Sequence, residues 1–438
     1  MRYFALQLII LLFANLAIGQ IKSDFSKLYI DELFKASSTI KSISPKETNF
    51  DDLEVIGDAI GDKKIVLLGE PNHGDGGAIQ MKTRLVKYLH EKKGFDVLIF
   101  EADLFSIMFG MTNLKDTTKI KLRARENIYT CWTESNVSQD LWIYFNKQLL
   151  SDHPIYLGGI DCRHSGDFAK NNFASELTNV LSRNKYNIEN TSYEIFVKDV
   201  NYLLKNEFNY NEDSVDVDNL NSELKSIKEY FEFSVSDSLR NLWLIEINNL
   251  RNCFDYLMKG KNRDIYMAQN FRLILNYIYP NKKIIIWSHN NHNALDVNTY
   301  TSTDPDWAKW WYTNGTYNTF SYLGAEIFRE YGNQVYSLAI TSSTGNYSPL
   351  FFGNDNFHAD FSKTANVPKS SEQSLEYYFQ SKKRGVAFIP LPGGQGNPSS
   401  FPWFYSRLFD LTLEWKMDYT ASYNGIIYID KTVNLNGQ

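Results

Sequence analysis

Cysteine is scarce: the 438 residues hold three, Cys131, Cys162 and Cys253. So small and odd a number excludes a disulfide framework and leaves room for one bridge at most. A basic surplus is also missing, with 45 Lys and Arg against 51 Asp and Glu. Nucleic acid and anionic membrane surfaces reward a basic face, so neither is expected as a partner. After the first twenty residues no apolar run approaches the about 20 residues that a membrane-spanning helix needs. A G-x-S-x-G elbow does not occur, and Ser38-Thr39-Ile40-Lys41 matches S-x-x-K without the motifs that accompany it. A serine hydrolase therefore has no support. Gly393-Gly394-Gln395-Gly396 lacks the Lys-Ser/Thr of a phosphate loop and reads as a plain loop near Pro390 and Pro392.

What is present begins with a targeting segment. Arg2 is followed by the apolar run Leu8-Ile9-Ile10-Leu11-Leu12-Phe13, and Ala17 and Gly19 occupy small-residue positions before Gln20. That order describes a secretory signal peptide over residues 1–19, cleaved before Gln20, and predicts a periplasmic or secreted chain free of the membrane after cleavage. Removing it takes away Arg2 and no acid, leaving 44 basic against 51 acidic residues. The remainder, residues 20–438, is ordinary globular material, with the whole chain 43% hydrophobic and 22% charged. Aromatics reach 15% of the chain, and the first use of such side chains is core packing.

Short β-branched or apolar runs recur along the chain, each ending in polar residues. They are Lys64–Gly69, Asp96–Phe100, Pro154–Ile160 and Lys283–Ser288, followed by Val335–Thr341, Gly385–Pro390 and Gly425–Asp430. The first four lack alternation, as strands buried on both faces of a parallel sheet do. Ala78–Lys92 carries Ile79, Leu85 and Leu89 at helical spacing between the first two runs, which makes a βαβ unit. The stretch from about 175 to 280 is helical in pattern and closes at Pro280. The fold class predicted is α/β: a mostly parallel central sheet with flanking helices and a helical insertion between the third and fourth core strands.

Ligands of open parallel sheets bind beyond the carboxyl ends of the strands. Glu70-Pro71-Asn72-His73-Gly74 follows the first run, and Glu101 and Asp103 follow the second. Asp161 follows the third, with Arg163 and His164 behind it, and His289-Asn290-Asn291-His292 follows the fourth. His90, His153 and His358 fall elsewhere and read as surface residues. Histidine titrates near neutrality and can take a proton from water and return it to a leaving oxygen. A neighbouring carboxylate fixes its tautomer, and a second histidine or an arginine can hold a developing oxyanion. The same residue types also bind zinc, although neither Glu70-x-x-His73 nor His289-x-x-His292 is the H-E-x-x-H helix. The residues alone leave water activation and metal-dependent hydrolysis both open.

The chain resembles the erythromycin esterase family. The resemblance rests on LLGEPNHG (67–74), LIFEAD (98–103), CWTES (131–135), GGIDCR (158–163), RDIYMAQN (263–270), IIIWSHNNHNA (284–294) and LGAEIFREYGNQVYSLAIT (323–341), in the family's order. It implies cleavage of a macrolide lactone, hence antibiotic resistance, by histidine-activated water with no metal or other cofactor required. It further implies a small-molecule substrate, a macrolide or another ester. On that basis His73 is the expected general base, and Glu70 and Glu101 position and charge-balance it. His289 is expected to contact the ester or share the proton, with His292 in support. Arg263 is the expected carbonyl or anion clamp, with Asp264 holding it and Asp161 orienting a partner. Gly77, Ala78 and Lys82 depart from the family pattern, Lys82 standing where Arg is common, and are expected to border the substrate mouth.

Overall fold

The computed structural model describes residues 26–111, 120–209, 211–235, 240–296, 300–302, 321–352, 359–391 and 403–438. The expected signal segment, the 393–396 loop and His358 lie outside them. Among the described residues no helix is long and apolar enough to cross a membrane.

Each apolar run forms a strand. With the short Ser38–Ile40 ahead of them, the strands in chain order are β1 (Ser38–Ile40), β2 (Ile65–Leu68), β3 (Val97–Asp103), β4 (Tyr156–Asp161), β5 (Ile284–Trp287), β6 (Val335–Tyr347), β7 (Val386–Pro390) and β8 (Gly425–Thr432). They lie side by side as β1-β7-β8-β6-β2-β5-β3-β4, with the short strand Ala365–Asn366 on β6. From β8 to β4 all neighbours are parallel, while β1 and β7 add an antiparallel margin. The fold is thus α/β on a mostly parallel sheet. Ser38, from the S-x-x-K match, sits on the margin strand β1.

Two faces are buried, so the strands need no polar alternation. Val66, Leu68, Leu98, Phe100, Ile285 and Trp287 point into a core closed by Ile79, Leu85 and Leu89 of α1 (Gly76–Lys93). The intervening Ile65, Leu67, Val97, Ile99, Ile284 and Ile286 fill a second core on the opposite face. Each such side chain contributes about 1.5–3 kcal/mol by leaving water. Asp75 starts α1 by accepting from the Ala78 backbone N–H, which satisfies one of the orphan donors of a helix start.

Among the helices after β3 are α2 (Leu104–Gly110), α3 (Asp167–Arg183), α4 (Thr191–Asn206), α5 (Val217–Ser234), α6 (Arg240–Lys259) and α7 (Arg263–Tyr277). Helices α3 to α6 bury a core of their own around Phe173, Phe196, Ile227 and Trp243, joined to α2 through Phe105. The last helix of the span behaves differently. Met267, Phe271 and Ile274 of α7 pack on the second face of the sheet with Ile65 and Ile284. This docks Arg263 and Asp264, its first two residues, against the sheet.

His90 corrects an expectation. It is buried in α1, with its Nδ1 2.6 Å from the Tyr144 hydroxyl, because the helix Gln139–Gln148 covers that face. His153 is exposed as expected. All three cysteines are buried free thiols.

Candidate active site

Sheet order, not chain order, assembles the site. β5, last of the four strands in sequence, lies between β2 and β3, with Trp287 level with both Leu68 and Phe100. The segment after β5 is therefore set between the segments after β2 and β3. Gly69 allows this approach: a Cβ there would stand 2.0 Å from Asn290 Oδ1 and 3.0 Å from Asn290 Cα. Asn290 opens the one-turn helix α8 (Asn290–Asn293). Its amide donates to Ile340 O (2.7 Å) and Leu408 O (2.6 Å) and accepts from Ile340 N (3.2 Å), which pins the turn to β6. On β3 the pairing with β4 shifts register between Phe100 and Asp103, an irregularity that re-aims Glu101. Gly159 across from it leaves no room for a side chain: a Cβ would meet Asp103 O at 2.6 Å and Ala102 O at 2.7 Å.

The His73 ring is held from one side only. Its Nδ1–H donates to Glu70 Oε1 at 3.0 Å, and among the described residues nothing hydrogen-bonds to its Nε2. Trp132 and His289 meet the ring edge-on, with centroids 5.1 and 5.3 Å away. The side chain keeps 28% exposure while Glu70 has none, so the histidine opens on the cleft and the carboxylate lies beneath it. Burial lowers the His73 pKa below its ordinary value; the Glu101 charge opposes this, and His292 and Arg263 add to it. The ring is thus neutral at pH 7 with a free lone pair on Nε2.

Under Glu70 lies Lys82. Its ammonium pairs with Glu70 Oε2, donates to Ser288 O at 3.2 Å and stands 4.2 Å from the centre of the Trp287 ring. Burial pulls the Lys82 pKa well down, against the charge of Glu101. Lys82 is fully buried, as are Gly77 and Ala78. None of the three borders the cleft. Gly77 is packed against Thr432, where a Cβ would come within 2.5 Å of Oγ1.

The second half of the site is a chain of alternating charges. His292 donates through Nδ1 to Asp264 Oδ1 (2.5 Å) and through Nε2 to Glu101 Oε1 (3.1 Å). A ring with a carboxylate at each nitrogen must carry both protons, so His292 is an imidazolium. Burial alone would lower its pKa, but Asp264 and Glu101 raise it to about 10. Arg263 NH2 reaches Glu101 Oε1 at 3.0 Å, and the guanidinium forks onto Asp161 at 2.8 and 2.6 Å. Burial works against the Glu101 charge, yet His292 and Arg263 hold its carboxyl well below the usual range. Asp161 is lowered by Arg263 in the same way, again against burial.

Three expected partnerships change. Asp161, not Asp264, holds Arg263, because β4 ends beside the start of α7. Asp264 holds His292 instead and accepts from Leu323 N at 3.0 Å. His289 has no nitrogen to spare: Nε2–H donates to Pro71 O (3.0 Å), and Nδ1 accepts from Asn291 N (3.2 Å). Burial, then His73 and His292, lower its pKa to about 3, so it is a neutral brace between β5 and β2. Its own N–H also donates to Glu101 Oε2 at 3.1 Å. Of the other strand-end residues, Asp103 turns away to cap α2 and accept from Gly166 N, and Arg163 pairs with Glu207 at 2.5 Å. His164 points into the helical layer against Phe173.

Together these groups line an open cleft of about 420 Å3, a size that suits a small molecule. His73, Glu101, Arg263, Asp264, His289 and His292 form its polar floor; Asn72, Asn291, Tyr322 and Leu350 complete it. These last four, and Trp132, were not singled out from the sequence, although Trp132 stands inside CWTES. Among the described residues no three His, Cys, Asp or Glu side chains converge in a metal-holding group.

A profile of the erythromycin esterase family matches residues 90–432. The chain belongs to the erythromycin esterase family. The matched span takes in Glu101, Asp161, Arg263, Asp264, His289 and His292, and starts after Glu70, His73 and Lys82. Like this family member, "Putative hydrolase YbfO" of Bacillus subtilis (strain 168) is of similar length: the two are 26% identical over 410 residues, 86% of each chain. Family and relative together support hydrolase activity. Among solved structures, a Bacillus cereus protein superposes with a TM-score of 0.68 at 15% identity, over 94% of this chain and 99% of its own. A succinoglycan biosynthesis protein gives 0.66 at 14%, over 94% and 98%. A histidine-to-asparagine mutant of the erythromycin esterase EreC, in its open conformation, gives 0.65 at 13%, over 90% and 97%. At these identities the three share the fold of this erythromycin esterase family chain.

Proposed function

We propose that the chain hydrolyses a carboxylic ester with water activated by His73, and that the ester is a macrolide lactone. One observation carries the chemistry: His73 has Nδ1 tied to a buried carboxylate and Nε2 open to the cleft. Water bound at Nε2 gives its proton to the ring as its oxygen bonds to the acyl carbon. Glu70 stabilises the imidazolium that forms. The carbonyl oxygen becomes an oxyanion, for which Arg263 and the His292 imidazolium supply fixed positive charge at the cleft floor. The C–O bond to the leaving oxygen then breaks, and His73 returns the proton to the departing alkoxide. The macrolide is supported by family membership and by the motif stretches from LLGEPNHG to LGAEIFREYGNQVYSLAIT. The expected departures at Gly77, Ala78 and Lys82 give no reason against it, since they lie away from the cleft. We also propose that residues 1–19 are removed as a signal peptide and that the mature chain meets its substrate in the periplasm or outside the cell.

The test is mass spectrometry of erythromycin incubated with purified residues 20–438, with and without chelator, beside His73→Ala. The expected product is one water heavier, forms despite chelation, and falls by about 10²–10⁴ in rate with His73→Ala. Turnover lost on chelation points to a metal-dependent hydrolase. Antibiotic left intact by the wild type moves the search to other esters, and full activity in folded His73→Ala sinks the mechanism.

A further inference from the structure

Behind the cleft, apart from the groups that line it, Glu246, Asn249 and Asn270 leave buried polar atoms without a partner. Glu246 of α6 has no exposure, and neither of its carboxyl oxygens has a hydrogen bond. Asn249, one turn on, leaves Nδ2 without an acceptor, and Asn270 of α7 leaves Oδ1 without a donor. The two amides are tied together: Asn270 Nδ2 donates to Asn249 Oδ1 at 2.5 Å and to Ile160 O at 3.0 Å. Ile160 precedes Asp161 on β4, so this cluster joins α6 and α7 to the strand that anchors Arg263.

Counting donors and acceptors decides the state of Glu246. A carboxylate is acceptor-only, so it can use Asn249 Nδ2 but gives nothing to Asn270 Oδ1. Among the described residues no Lys, Arg or His pairs with it, and a lone buried carboxylate is heavily penalised. A neutral carboxylic acid escapes that penalty. Its C=O accepts from the amide of Asn249, one turn away, and its O–H supplies a donor that a carboxylate lacks. We propose that Glu246 is a protonated carboxylic acid at neutral pH and acts as an alkali-sensitive latch between the α6–α7 pair and the end of β4.

The charged and titratable surroundings agree. Burial first, then the charge of Asp103, push the Glu246 carboxyl well above the usual range; Asn249 pulls the other way. Asp103 is itself raised to about 7 by burial. Asp161 is spent on Arg263, Asp264 on His292, and His164 and the Cys162 and Cys253 thiols are buried and neutral. On α5, Lys228 and Glu232 pair with each other at 3.9 Å.

Glu246→Gln keeps one donor and one acceptor and cannot ionise. A group whose folded pKa is raised contributes stability below its unfolded pKa and loses it as pH rises toward the folded one. Relative to Glu246→Gln, the wild-type folding constant should therefore fall about tenfold per pH unit from pH 5.5 upward, read from urea unfolding. Parallel pH curves would overturn the proposal, and so would failure of the isosteric Glu246→Gln to fold. An infrared difference spectrum at pH 7 should show a neutral-acid carbonyl band lost in Glu246→Gln. Its absence would mean an ionised Glu246 and no latch.

Discussion

Replacing Glu70 by Gln separates what that side chain does for the fold from what it does for His73. In the fold, Glu70 is the buried partner of Lys82, and neither side chain has any exposure. Removing one member of such a pair leaves an uncompensated charge and costs about 3–5 kcal/mol. That is a large share of a typical total of about 5–15 kcal/mol. In the chemistry, an amide can offer its NH2 to Nδ1. This places the histidine proton on Nε2 and removes the lone pair that must take a proton from water. A carboxylate-to-amide change that inverts the tautomer lowers kcat by about 10⁴ in the triad enzymes, so about 10³–10⁴ is expected here. The double variant Glu70→Gln/Lys82→Met removes the stranded ammonium and puts an apolar chain over Trp287. Stability should return to within about 2 kcal/mol of wild type, because exchanging a buried pair for well-packed neutral groups is often neutral. Activity should not return. Urea unfolding gives the first quantity and initial rates on erythromycin, or on whichever ester the wild type cleaves, give the second. Recovery of turnover together with stability would refute the reasoning, since Glu70 would then serve only the fold.

Raising pH should weaken the fold through His292. Its folded pKa, about 10 against an ordinary 6.5, means its contribution is complete below about 6.5 and is lost as pH rises through about 10; His292→Gln should flatten that slope in urea unfolding. The same deprotonation should set the alkaline limit of turnover, and the lowered His73 pKa should carry activity below the ordinary histidine range, both read from a pH profile of kcat/KM. Gly159→Ala should cost about 1–3 kcal/mol, because the new methyl meets two backbone carbonyls, and should slow turnover by displacing Glu101; an unchanged Tm would refute the close packing.

Much of this protein was written in the order of its residues. Unalternating runs such as KIVLLG and KIIIWS can only be satisfied on both faces, and that requirement alone fixed a parallel sheet with helices on each side. The same logic put Glu70, Glu101, Asp161 and His289 at one edge, since parallel strands end at a common level. The partnerships were not legible. That β5 inserts between β2 and β3 is a fact of sheet order, and it alone spends His289 on Pro71 and Glu101. Adjacent residues also part company: Arg263 and Asp264 are neighbours in sequence, but the helical turn between them sends one to Asp161 and the other to His292. Lys82 and Gly77 looked like substrate contacts because they follow the His73 motif closely, yet the helix that carries them is buried on nearly every side. Local pattern decides which groups reach the site, because burial period and strand direction are local properties. Which of them stay free to react depends on hydrogen bonds between distant segments, and those only the packed tertiary structure decides.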